Sequence, residues 1–318
     1  MTRIAILDPL DLLGKEVCAG LERRTSWVSE VRLFTTTHEE EIPLTEYEGQ
    51  PVMVRELAEG ALDDIDLILA CGPAARQRAA LERRAPASTL VTLSPDAELA
   101  DGLPVVSGVN DDAAQRGGQI LSPAPGVVAL AHLLAPLRDL APTRAVATLI
   151  QPASTEGNAG LETLMAQTRS LLSFTDQPEA NPFGGQLAFN LLPIATASHA
   201  ADQLAAILGP TPPVAVTTLR GGIFHGVAIS LWTHYATDPG AARIRDALAS
   251  SVYVDLFESP AQLGPIVAAG REEVLCGGID PDPRTPGAYW LWAAVDNLTR
   301  GGSLNALEIA ESLFGADL

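Results

Sequence analysis

The chain has 318 residues, 47% of them hydrophobic and only 5% aromatic, with a formal charge of −19. That length allows about two domains with aliphatic cores, and the acidity argues against nucleic acid or an anionic membrane as a partner. No apolar run approaches the roughly 20 residues that span a bilayer, and three scattered cysteines, Cys18, Cys71 and Cys276, suggest neither a disulfide framework nor a metal site.

The first predicted strand, RIAIL (3–7), opens the chain with no basic leader before it, so the expected compartment is the cytoplasm. A helix over 12–24 follows, with Leu13, Val17 and Leu21 at helical spacing. Between strand and helix, Asp8 and Asp11 stand where a dinucleotide-binding loop would carry glycine, and only Gly14 remains. Two carboxylates there repel a pyrophosphate, whereas Asp11 is well placed to cap the helix. VRLFTT (31–36), DLILAC (66–71) and STLVTLS (88–94) read as further strands, with a helix over 73–84 tolerating Pro73 in its first turn. The alternation predicts βαβ units and a mainly parallel sheet. GGQILSPAPGVVALAHLLAPL (117–137) is strand, loop at 122–126, then helix, with Pro125 suited to a helix start.

From about 143 the pattern changes. TRAVATLIQPAS is a strand and GNAGLETLMAQTRSLL (157–172) a helix; PVAVTTLRGG, IFHGVAISLWTHYA and AYWLWAAVDN are long alternating strands. Such strands predict an α+β domain on a mixed or antiparallel sheet. Trp290 and Trp292 share one strand face, so they belong either to ordinary core or to an apolar interface. The chain closes on a helix with Leu304, Leu307, Ala310 and Phe314 as its apolar stripe.

Several segments, in order, resemble the aspartate-semialdehyde dehydrogenases. QPASTEGNAGLETL at 151 looks like that family's Q-A-x-S-G-x-G-x-A-G-x-E-E-L, and GQLAFNLLP at 185 like its Q-I-A-F-N-x-I-P. VDNLTRGGSLNALEIAE at 295 is similar to the closing A-D-N-L-x-K-G-A-A-x-N-A-x-Q-I-A-E, and LPVVSGVN at 103 to V-P-L-V-V-P-E-V-N. The resemblance implies an α/β fold: a Rossmann-type parallel-sheet domain over 1–130 plus 299–318, and an α+β catalytic and dimerisation domain over 131–298. It also implies a homodimer and the family reaction, NADP-dependent reductive dephosphorylation of aspartyl phosphate. In that reaction a cysteine thiolate attacks the acyl carbon and a histidine handles the proton.

The chain departs from the family where that chemistry resides. In SPAPGVV, Pro123 matches the proline of the family's N-P-N-C-S-T loop, and Pro125 falls at the cysteine. In RGGIFHGV, Val227 replaces the family's histidine, while His225 stands two residues earlier. Period-two alternation would keep His225 on the face of residue 227, roughly 6–7 Å away. It is then either a pocket residue or an ordinary half-buried histidine. QLAAIL carries Gln203 and Ala206 where the family has glutamate and lysine, and TLSPDAELA lacks the arginine of N-S-S-x-F-R. Gln151, Arg220, Asn297, Gly301 and Asn305 survive. By resemblance Gln151 and Arg220 touch substrate, and Asn297 and Gly301, with Gly14, lie near the cofactor. Gln151 can equally be kept for packing, and Arg220 can equally form an internal ion pair. The expectation is a homologue without cysteine–histidine catalysis, binding NADP weakly if at all, with a small carboxylate as candidate ligand and no metal. The alternative is an active NADP-dependent aldehyde oxidoreductase with an altered mechanism.

Overall fold

The structure, a computed structural model, describes residues 2–38, 42–82, 84–94, 96–177, 181–194, 199–210 and 212–315. The chain forms two compact units, Met1–Ala124 with Gly302–Leu318, and Pro125–Gly301.

In the first unit the elements are β1 (Thr2–Leu7), α1 (Leu12–Glu22), β2 (Val28–Thr35), a hairpin of β3 (Leu44–Tyr47) and β4 (Gln50–Met53), β5 (Arg55–Glu56), β6 (Leu67–Ala70), α2 (Ala74–Leu81), β7 (Thr89–Thr92), β8 (Leu103–Pro104) and β9 (Gln119–Leu121). Seven described strands make an all-parallel sheet in the order β5-β2-β1-β6-β7-β9-β8. Ile4 to Leu7 are wholly buried, as expected of a strand covered on both faces. One face packs under Leu13, Val17, Leu21 and Trp27, together with Leu307 and Ala310 of the closing helix, Asn305–Phe314. The other face buries Ala5, Leu7, Phe34, Ile68 and Leu90. The loops after β1 and β6 therefore lie side by side where the strand order reverses, the place such sheets offer to ligands.

The second unit contains α3 (Pro125–Leu134), β10 (Pro142–Gln151), α4 (Gly157–Ser173), β11 (Leu191–Pro193), α5 (His199–Leu208), β12 (Val214–Gly221), β13 (Val227–Tyr235), α6 (Ala241–Ala249), β14 (Val254–Leu256), α7 (Pro265–Ala268), β15 (Val274–Pro281) and β16 (Ala288–Val295). Its described strands form a mixed sheet in the order β11-β12-β10-β13-β16-β15-β14. A domain boundary at 130 would cut α3. That helix is buried from Gly126 to Leu134, and it packs against α5, β13, β15 and β16. Ala145, Ala147, Leu149, Ile229 and Leu231 are buried, and alternation turns the residues between them to the other face. On that face Val146, Trp232 and Trp290 stand in one row across β10, β13 and β16, with Thr148, Ser230 and Trp292 in the next. Val146 is 41% and Trp290 46% exposed.

Two expectations about element bounds change. The strand expected from Ile223 begins only at Val227, because Gly226 has φ +83° and ends the alternation. The last helix is preceded by a π-helical turn, Thr299–Leu304, so regular α geometry starts at Asn305. Among the described residues, no helix is long and apolar enough to cross a membrane.

Candidate functional site

The first unit's loop after β1 is closed by its own carboxylates. Asp8 takes the left-handed conformation, φ 57°, and is 5% exposed. Its Oδ1 accepts the Thr36 backbone N–H at 2.8 Å, and its Oδ2 accepts the Thr36 hydroxyl at 2.7 Å. Asp11 precedes α1 but makes no capping bond with its side chain, contrary to the expected cap. Arg76, in the first turn of α2, draws that carboxylate away, Nη2 donating to Asp11 Oδ2 at 3.2 Å and lying 3.8 Å from Asp8 Oδ2. Burial raises the Asp11 pKa from the ordinary aspartate value, although Arg76 opposes it. Gly14 survives for a local reason: a Cβ there would lie 2.3 Å from Asp8 O. In the TLSPDAELA segment Pro95 lies outside the described residues, and Asp96 accepts the backbone N–H of Ala74 at the start of α2. The N–H groups of Thr36 and Ala74 are thus already met by aspartate, and Asp8 and Asp11 place negative charge beside the start of α1.

All three thiols are buried. Burial pushes Cys18 and Cys276 up to about 12, and raises Cys71 as well. A buried thiol held protonated is neither nucleophile nor metal ligand. Among the described residues no cluster of histidine, cysteine or acid could hold a metal ion.

In the second unit, β10 and β12 run parallel with Gln151 opposite Arg220 at their carboxyl ends. Arg220 is not free. Its Nη2 donates to the Glu156 carboxylate, from the turn that begins α4, and its guanidinium lies 5.4 Å from the Phe183 ring centre. The internal ion pair is therefore the observed partner of Arg220. Its Nε is buried and has no hydrogen-bond partner.

Beside these strand ends, residues 222–226 are tied down at three points. Ala153 N–H donates to Ile223 O at 2.8 Å, Ser154 N–H to Phe224 O at 3.1 Å, and Gly226 N–H to Asn297 Oδ1 at 2.7 Å. Asn297 Nδ2 in turn donates to Ser154 Oγ at 3.1 Å. Asn297 is 4% exposed, and its amide joins two loops. His225 is half-buried in the tied loop, with Nδ1 unpartnered. Because Gly226 lies between it and the first strand residue, period-two alternation does not link His225 to Val227, which is 1% exposed.

Pro125 is the first residue of α3, where its ring fixes φ and its missing N–H costs nothing. Gly301 packs on it: a Cβ there would stand 2.6 Å from Pro125 Cβ. Gln203 is 3% exposed on α5, a core position. Close by in sequence to Gly301, Arg300 donates from Nε to Glu272 O and lies over the Tyr253 ring, whose other neighbour is His132 at 4.4 Å. Sequence reasoning names neither Glu156 nor Phe183. Glu156 is 64 residues from Arg220, and only the pairing of β10 with β12 makes them neighbours.

Comparison with known proteins finds likeness over nearly the whole chain. Residues 134–300 match the model of the semialdehyde dehydrogenase dimerisation domain. An aspartate-semialdehyde dehydrogenase of Mycolicibacterium smegmatis is 30% identical, over 96% of this chain and 96% of that one. A USG-1 protein homologue of Azotobacter vinelandii is also 30% identical, over 98% and 97%. The structure of a probable aspartate-semialdehyde dehydrogenase from Pseudomonas aeruginosa superposes with a TM-score of 0.91 at 23% identity, covering 100% of this chain and 99% of that one.

Proposed function

Because the chain belongs to the semialdehyde dehydrogenase family, we propose that it is a dimeric, non-catalytic member, acting in the cytoplasm as a binding or partner protein. The observation that carries this reading is Pro125. The residue heading α3 has no nucleophile, and no thiol elsewhere in the chain is exposed to take its place. Val227 supplies no base, and His225 sits in a separate, tied loop. The loop of Asp8 and Asp11 does not fit a dinucleotide phosphate, so NADP binds weakly or not at all. Arg220 and Gln151 remain as the place for a small carboxylate. Dimerisation is proposed through the row of Val146, Trp232 and Trp290, an exposed apolar face on the matched domain.

The test uses purified protein with aspartate semialdehyde, phosphate and NADP. The expected outcome is no reduction of the nicotinamide and no heat on titration with NADP alone. Steady turnover would overturn the proposal.

A further inference from the structure

Resting on the reading of Arg220 as the carboxylate-binding residue, we infer that Glu156 is an internal competitor for it. The Glu156 carboxylate holds the guanidinium in the absence of ligand, and a small dicarboxylate binds only by displacing it. A guanidinium receives a carboxylate side-on through Nε and Nη2 together. Here Glu156 takes Nη2, while Nε stays buried and unpartnered. One of the two donors is occupied and the other is unmet, so an incoming carboxylate meets a half-filled fork. It can satisfy both donors only if Glu156 leaves.

Glu156 is built to leave. Its side chain is 33% exposed against 15% for Arg220, so it has a path to water that the arginine lacks. It stands at the start of α4 yet makes no capping bond there, so α4 loses no hydrogen bond when it swings out. Arg220, by contrast, is held by Phe183 beneath its guanidinium and by β12, a strand paired on both sides, with β10 and β11. The movable partner is the acid, and the fixed one is the base.

Titration calorimetry with succinate separates the possibilities, using wild type, Glu156→Gln and the double variant Glu156→Gln/Arg220→Gln. Glu156→Gln keeps the shape and removes the competing charge; Glu156→Ala serves as a second opening variant, and thermal unfolding checks the fold of each. The expected result is at least about tenfold tighter succinate binding by Glu156→Gln than by wild type, lost in the double variant. Equal affinity of wild type and both opening variants, abolished in the double variant, would overturn the competitor and leave the Arg220 reading standing. No binding by any variant, or binding indifferent to residue 220, would overturn that reading and the competitor with it.

Discussion

At Pro125 one side chain replaces chemistry with geometry. A cysteine at a helix N-terminus gains thiolate character from the adjoining N–H groups and the helix dipole; a proline there only fixes the entry of the helix. Pro125→Cys restores the thiol but not the proton acceptor, because Val227 is buried and aliphatic. We expect the variant to react with iodoacetamide at the new site and still show no dehydrogenase turnover. Activity from this single substitution would mean that another group, His225 first among those named, serves as base. The identities at 125 and 227 were legible in the sequence, because a missing functional group needs no coordinates. The partner of Arg220 was not: charge and strand register predict that a buried arginine needs an acid, but not which acid.

At the scale of elements, the alternating strands and the α1, α3, α4 and closing helices were readable because their apolar spacing is regular. The hairpin of β3 and β4 leaves no such signal; Pro51 interrupts the second strand, and the facing pair Leu44 and Met53 is exposed, so no buried stripe announces it. The start of β13 at Val227 is hidden in the sequence because IFHGVAI alternates in composition straight through Gly226, whose backbone does not. The π-helical turn is similarly silent in sequence, yet it sets Gly301 against the head of α3. Gly301→Ala should therefore destabilise the second unit by about 1–3 kcal/mol through overpacking against Pro125 and Asp296 O. Urea unfolding measures this, and a loss within about 0.5 kcal/mol would show that the turn yields to a methyl group.

Across the molecule, two properties follow from where charge and apolar surface lie. His132 is 1% exposed, and its pKa is pushed down to about 3, first by burial and then by the nearby Arg300. The unfolded chain binds a proton at His132 near pH 6.5 while the folded chain does not, so its contribution is complete above that pH and is lost as pH falls toward 3. Between pH 7 and pH 5 the loss amounts to about 2 kcal/mol. His132→Phe, which keeps a ring against Tyr253, should flatten that part of the profile; an unchanged slope by urea titration would remove His132 from the account. For association, Trp290→Glu places charge in the row with Trp232 and Val146. Sedimentation is expected to show a dimer for the wild type and a monomer for the variant, and a wild-type monomer would refute the proposed interface.

The same burial that silences the three thiols makes them a clock. Cys18 and Cys71 lie in the first unit and Cys276 in the second. An alkylating reagent can modify each only while its surroundings are open, so the labelling rate relative to that of the same thiol in the unfolded chain reports the fraction of time spent open. Two of the sulfurs time one unit and the third times the other. Peptide mass spectra from a time course on folded and urea-unfolded chain would thus show which unit spends more time open, without a mutation or a fluorophore.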